Sequence, residues 1–589
     1  MPKCRPWEPN TGRPDFLISA LLRKSRQVIN DPVLRQWLIG RMLGRNPKPA
    51  AFEAHLPPYL PALQRHDAAP VSPLEANPTK SFPAANLDPI KLPLAGTDVL
   101  VEPKNVGDLF QQQFADTETL LSLHRFAWVP LLGDIVDPAW VDLMWTAWTE
   151  AHGTPNGGWA WHPYTAAERA INILGHAEAH GYPGERRQTA ALLRRHAEVI
   201  ADGLEYWGEH NTSNHLANNG RGLYRIGLAF DLDWAIEMGR DILLNEAKRL
   251  FLPSGVLREG SSHYHLLYTQ RYVDAWLAAS AAARPETGAF RDIAQKALGV
   301  LPHLNLPGGF PVIGDISPDS PPSHLTGLIS GPPVKWMASL SDGDLNLISD
   351  LRKTVTPSAA GTLLDDGWVR HDHGPWSALW YVSPEGWPPM PGHAHQDCGS
   401  FELHFGTTRV IVDPGRGAYG NSPEAAHGYS AEAHNLVTVD DAAPYPDNRP
   451  YFDDAFRARV GGQPPKVEMN VDGVTIRFEG FSRLKSVGTI TRQWQFDESC
   501  VVISDHVAGT RPAKLTRHLH VSGPVSVEGD AVFVDAPAQR FRITSKNSAP
   551  RVAPAKIWRQ YGESDPGSRI SFVERAGLPW SGTITIEAI

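Results

Sequence analysis

Cysteine is scarce in this chain. Cys4, Cys398 and Cys500 are the only three in 589 residues. That is too few for a disulfide framework, and their spacing is not that of a metal site. Long apolar runs are missing too. No stretch approaches the ~20 apolar residues that a membrane-spanning helix needs, so no membrane span is expected. Near the start, Leu17-Ile-Ser-Ala-Leu-Leu22 is cut short by Arg23-Lys24. A signal peptide needs a longer apolar core, so the expectation is a cytoplasmic chain, with the periplasm as the alternative. Positive charge is not in excess either. A net charge of −9 argues against a nucleic-acid binder, although a local Arg cluster can still receive an anionic substrate.

The length exceeds one ordinary domain, and the texture divides it. Residues 15–44 read as two helical pieces, the second opened by Asp31-Pro32, an N-cap followed by a Pro at the first helical position. Residues 46–104 are rich in Pro and Ala and read as an extended wrap or linker. Residues 105–354 are helical and rich in Trp, with apolar residues at three-and-four spacing in Thr165–Leu174 and Gln188–Leu193. From 355 to 589 short alternating runs such as Ser377–Val382, Val474–Phe478 and Ile584–Ile586, separated by turn residues, indicate a large antiparallel β-sandwich. The expected class is multidomain α+β.

The β half carries the densest cluster of chemistry. His393-Ala-His395-Gln-Asp397 is followed by Val412-Asp413-Pro414-Gly415 and then by Ala433-His434-Asn435. Residues two apart on a strand share a face, and Pro-Gly turns the chain after Asp413. One His, one Asp and one His from neighbouring strand ends would give three ligands with an open fourth position, a count that suits zinc.

Two polar stretches stand out in the helical half. His210-Asn-Thr-Ser-Asn214-His215-Leu-Ala-Asn-Asn-Gly220-Arg221 offers amide and imidazole donors, beyond what one helix cap requires. Arg258-Glu-Gly-Ser-Ser-His-Tyr264-His-Leu-Leu-Tyr268 places Tyr264 and Tyr268 on one helix face. A Tyr near Arg and His can have its phenolate stabilised and can act as base and then acid. Of the many Trp, Trp159 and Trp161 beside Gly and His are the best placed to line a sugar-binding groove.

Together these motifs resemble the heparinase II/III-like family of polysaccharide lyases over roughly residues 105 to 520. The segment from Trp161-His-Pro-Tyr164 to Asn172 is similar to the family's toroid signature. The Asn214-His215 and Tyr264 segments are similar to its active-site helices. The set His393/His395, Asp413 and His434 is similar in order and spacing to its β-domain motifs. The resemblance implies an N-terminal incomplete (α/α) toroid followed by an antiparallel β-sandwich. It also implies Asn214, His215, Tyr264 and His393 as the catalytic group, and a structural zinc on His395, Asp413 and His434. Residues 1–104 have no counterpart in it.

The chemistry so implied is β-elimination on a uronic acid. The hydrogen at C5 is acidic only once the adjacent carboxylate is hydrogen-bonded, so that the growing negative charge is stabilised. Asn214 and His393 would do this, with His215 close by. A base then takes the C5 proton and an acid protonates the departing C4 oxygen. Tyr264 does both if they lie on one face of the sugar; otherwise His215 is the base and Tyr264 the acid. Arg221, Arg225, Arg258, Arg271 and Arg416 could hold uronate or sulfate groups, and Trp161 and Tyr268 could line the subsites. The partner is then an anionic uronate-containing polysaccharide, with a homo-oligomer possible. Two other readings remain. One is a glycoside hydrolase using paired acids among Glu168, Glu259 and Asp315. The other is a non-catalytic protein of glycan binding or exopolysaccharide assembly.

Overall fold

The computed structural model describes residues 31–46, 53–61, 87–331, 335–389, 392–420, 422–449 and 451–589. The first of the two expected N-terminal helical pieces lies outside these residues. The second is α1, Pro32–Met42, whose first N–H groups are capped by the Asp31 carboxylate at Val33 and Leu34 (3.0 and 2.9 Å). Its Trp37 ring packs 4.7 Å from Tyr451, so this arm lies against the β half. Part of the expected wrap is instead a β-hairpin, Ile90–Leu94 paired with Thr97–Val101. The tight turn at Ala95-Gly96 lets Leu92 and Val101 enter the helical core.

The helical half is built from α2 Thr117–Arg125, α3 Pro138–His152, α4 Pro163–His180, α5 Arg186–Asp202, α6 His215–Phe230, α7 Asp233–Leu250, α8 Ser262–Ala281, α9 Thr287–Leu298 and α10 Asp342–Thr354. The helix α4 packs on α2, α5 and α6; α6 packs on α7, and α8 on α9. The start of α4 meets that of α6, the Tyr164 and His215 rings lying 4.7 Å apart, and Tyr268 in the second turn of α8 bonds to Asn214 O just before α6. Among the described residues no helix is long and apolar enough to cross a membrane.

Among the described residues the β half has three antiparallel sheets. One contains four strands from Trp368 to Ile411 in chain order, a second joins Pro550–Gln560, Glu563–Gly577, Pro512–Ser522 and Val437–Val439, and the third has eight strands. They share one core, in which Trp380 meets Trp494 edge-on at 5.2 Å and Trp376 meets Phe541 at 6.1 Å.

A buried ion pair ties this core to the loops of the cluster. The fully buried Arg492 donates to Asp505 (2.7 Å) and to the carbonyls of Gly399 (2.7 Å) and Asn435 (2.8 Å). Removing one partner of such a pair leaves the other uncompensated. Arg492→Met is expected to cost about 3–5 kcal/mol, read from denaturant unfolding followed by tryptophan fluorescence. An unchanged transition would contradict this account of the loops.

Candidate active site

Asn214 occupies the residue before α6, and its side chain makes no capping bond, so the amide is free to act elsewhere. Its backbone is held by the carbonyls around it. Arg249 and Arg258 donate to Thr212 O, Arg249 also to Ser213 O, and the Tyr268 hydroxyl to Asn214 O (2.8 Å). Arg249 is itself paired with the buried Glu246, which accepts from Tyr59 (2.8 Å) of the N-terminal segment. So fixed, Asn214 Nδ2 donates to Glu259 Oε2 (2.7 Å) and faces His393 Nε2 (2.9 Å). Both amide hydrogens are thus engaged, one of them by a carboxylate.

His393 comes from the β half. Its Nδ1 faces Asp315 Oδ2 (3.1 Å), which leaves Nε2 as the acceptor for Asn214; the tautomer follows from this bonding pattern. Glu259 lies 3.4 Å from Nε2. Two carboxylates thus flank the ring. Tyr264 stacks on His393 with centroids 3.4 Å apart and planes 15° off parallel. The Tyr264 hydroxyl is 3.2 Å from that of Tyr419, which donates to Ile316 O (2.9 Å). Tyr419 therefore accepts from Tyr264. Burial pushes the Tyr264 phenol well above its ordinary pKa. The expected phenolate beside an Arg is not found, because the nearby guanidinium groups face other partners. Tyr264 rests as a proton donor.

His215 is arranged in the opposite sense. Its Nδ1 faces the buried Glu205 (2.8 Å), which also accepts from Asn219 (3.0 Å). Burial disfavours the imidazolium, but the Glu205 charge and hydrogen bond outweigh that, and the pKa is raised. The side chain is 42% exposed, so Nε2 is open to a ligand. Four residues expected to act together are thus brought together: Asn214 touches His393, His393 touches Tyr264, and His215 follows Asn214.

The expected metal ligands lie behind this group. His395 Nε2 faces Asp315 (2.9 Å), His434 Nδ1 faces Asp413 (3.0 Å), and the two imidazoles are 5.1 Å apart. The buried His395 Nδ1 and His434 Nε2 have no hydrogen-bond partner. Burial raises the nearby Asp397 to about 7. Among the described residues, however, no group of three or more His, Cys, Asp or Glu is disposed to hold a metal ion. The Asp413 carboxylate is taken up by His434 instead.

The expected substrate contacts are mostly used internally. Trp161 is buried, its Nε1 bonded to His152 O (2.6 Å), with the Arg169 guanidinium 5.2 Å from its ring. It is core, and the half-buried Trp159 beside His162 lies nearer the surface. Tyr268 is buried between Asn214 O and Arg271. Arg221 pairs with Glu168 and Asp274, Arg225 with Glu178 and Asp274, Arg271 with Glu168 and Asp319, and Arg416 with Asp315. Among the described residues, Arg258 alone in this set has no carboxylate partner, and it points at Thr212 O. Glu205 and Tyr419 were not anticipated. Only the Asn-His pair near Glu205, and the aromatic four residues after Gly415, could have hinted at them.

Residues 356–576 match the family described as heparinase II/III-like, C-terminal, so the β half is a domain of that type. Comparison with curated proteins gives no sequence match. Among solved structures, the chain is similar to heparinase III (15% identity, 82% of this chain and 79% of that one, TM-score 0.61). It is also similar to a mutant of heparan sulfate lyase HepC from Pedobacter heparinus (15%, 81% and 78%, TM-score 0.52). The fold is shared across both halves.

The His215 shift has a sign that can be checked. A pKa raised on folding adds stability that is complete below the ordinary imidazole value near 6.5 and is lost as pH rises through the folded value. Replacing Glu205 by Gln removes the cause. The melting-temperature gap between wild type and Glu205→Gln should therefore be wider at about pH 6 than at about pH 9. A gap independent of pH would refute the pairing.

Proposed function

We propose that this chain is a polysaccharide lyase that opens a uronate-containing polymer by β-elimination, leaving a 4,5-unsaturated uronate. Its helical half acts as an incomplete (α/α) toroid. One observation carries the reading: Asn214, His393 and Tyr264 are in direct contact across the junction of the two halves, beside an exposed His215 whose pKa is raised. The likeness to heparinase III and to a heparan sulfate lyase supports the reading at the level of fold.

The substrate carboxylate takes the Asn214 hydrogen now turned to His393. His393 stands beside it with its Nδ1 held by Asp315, so the charge growing at the carboxylate during proton removal meets groups already in place. His215 Nε2 takes the C5 proton. The electrons form the C4–C5 double bond, the C4–O bond breaks, and the departing oxygen takes the Tyr264 proton. The raised pKa values suit these two roles, since a phenol that stays protonated still holds the proton the leaving oxygen needs, and an imidazole backed by a carboxylate is the stronger base.

The hydrolase alternative lacks support. It needs one free carboxylic acid and one free carboxylate. Glu168 is held by two Arg, and Glu259 by Asn214. For Asp315, burial favours the neutral acid, but the bonds from His393 and His395 outweigh it and depress the pKa far below the carboxylate range. A mere glycan-binding role would leave the Glu205–His215 and Tyr264–Tyr419 arrangements without use.

Zinc belongs to this proposal as a structural ion on His395, Asp413 and His434. Two buried imidazole nitrogens without partners, close to a carboxylate, are a donor set that zinc suits. There it would hold the loop that carries His393 in place and polarise no substrate. Metal analysis of purified protein should find about one zinc per chain, and chelation should lower the melting temperature. Protein without zinc whose melting is unmoved by chelator would dispose of the ion and leave the lyase reading intact.

The central test is Tyr264→Phe, which keeps the stack on His393 and deletes the proton. On uronate polymers, the wild-type gain in near-ultraviolet absorbance should fall by at least about 100-fold. Activity within a factor of two would reject Tyr264 as the acid.

A further inference from the structure

The ionic lining of the site says which uronate polymers fit it. Around the four central side chains stand the carboxylates of Glu118, Glu205, Glu259, Asp315 and Asp319, and the guanidinium groups of Arg125, Arg271 and Arg416. Each of these guanidinium groups is already committed. Arg125 pairs with Glu118 and Asp319, Arg271 with Glu168 and Asp319, and Arg416 with Asp315. The one guanidinium in contact with the catalytic turn that lacks a carboxylate, Arg258, donates to Thr212 O, and burial and the neighbouring Arg249 lower its pKa. Among the described residues, no lysine makes a hydrogen bond or ion pair with any of these groups. What remains for an incoming anion is Asn214 with His393 and His215, enough for one carboxylate.

A carboxylate and a sulfate ester differ on this surface. A carboxylate can be met by amide and imidazole donors, and the reaction requires that it be. A sulfate ester keeps its charge at any working pH. It needs an ionised donor of its own, or it sits beside carboxylates with none. Pulling Arg125, Arg271 or Arg416 over to a sulfate would strip a buried carboxylate of its partner.

We propose that the substrate of this site is a uronate polymer without sulfate, recognised through one carboxylate per sugar at the cleavage point. This rests on the lyase reading and narrows it. The test uses polymannuronate, polyguluronate, hyaluronan, chondroitin and heparosan, each beside a sulfated derivative of the same backbone. Absorbance gain is measured with wild-type protein and equilibrium binding with Tyr264→Phe. For the backbone that is turned over, kcat/KM is expected to be at least about tenfold higher on the unsulfated member, with binding in the same order. A sulfated member that is cleaved or bound as well or better overturns the proposal, as does binding to no unsulfated member. If no polymer gains absorbance but unsulfated chains bind more tightly, the lyase reading fails while the recognition stands.

Discussion

The buried carboxylate of Asp315 is the interaction on which the rest depends. One oxygen faces His393, and the other faces His395 and Arg416. A carboxylate so enclosed is tolerable only while every partner stays in place. Asp315 comes from the segment between α9 and α10, and its three partners all come from the β half. Electrostatics therefore locks the halves together at the point where His393 must face Asn214. The same residue links the catalytic imidazole to the candidate zinc ligand His395, so any change behind the site reaches the chemistry through one side chain.

The backbones meet at this seam as closely as the side chains do. His393 N–H donates to Glu259 O (2.8 Å), and Asp315 N–H to His393 O (3.0 Å). That approach requires glycine at two neighbours. Gly314, at φ +80°, would place a Cβ 2.7 Å from both Gly260 O and His393 O. Gly392, at φ +63°, would drive one into Glu259. With no side chain and a left-handed backbone, these positions let strand, loop and helix start share one small volume. The Tyr59–Glu246–Arg249 chain braces the other side, where with Arg258 and Tyr268 it holds the turn from Thr212 to Asn214.

The sequence was most informative where local chemistry decides the outcome. Asp31-Pro32 foretold a capped helix start, period-two runs foretold the strands around Trp376 and Ile476, and the Asn-His, Tyr and His-x-His motifs named residues that do meet. It misled where the same residue types serve the interior. Trp161, Tyr268 and Arg221 have the composition of a sugar groove, yet each is buried and satisfied within the protein, Tyr268 and Arg221 by partners more than fifty residues away. Whether an Arg is free or spent depends on where Glu168, Asp274 and Asp319 arrive in space, which no local pattern encodes. Glu205 escaped notice for the same reason: its value lies in pointing at His215 ten residues later, across a turn without a motif. The hairpin at 90–101 hid in a Pro-rich stretch because its pairing is weakly signalled by alternation.

Two titratable groups in one small site have been pushed in useful directions by different causes. Tyr264 is made a poor acid in isolation by loss of water, yet its hydroxyl hydrogen is already held in a chain of oxygens that runs through Tyr419 to Ile316 O. That geometry suits a proton given only when a leaving oxygen develops charge nearby. His215 keeps enough contact with water for substrate to reach it, while Glu205, buried and ionised, supports the charge it acquires. Were the two roles combined in Tyr264, the phenol would first have to ionise in the most desolvated part of the site, with Asp315 and Asp319 adding repulsion. Dividing the steps avoids that state. It also explains why Glu205 is not a burden: it stabilises the imidazolium that proton removal creates at His215.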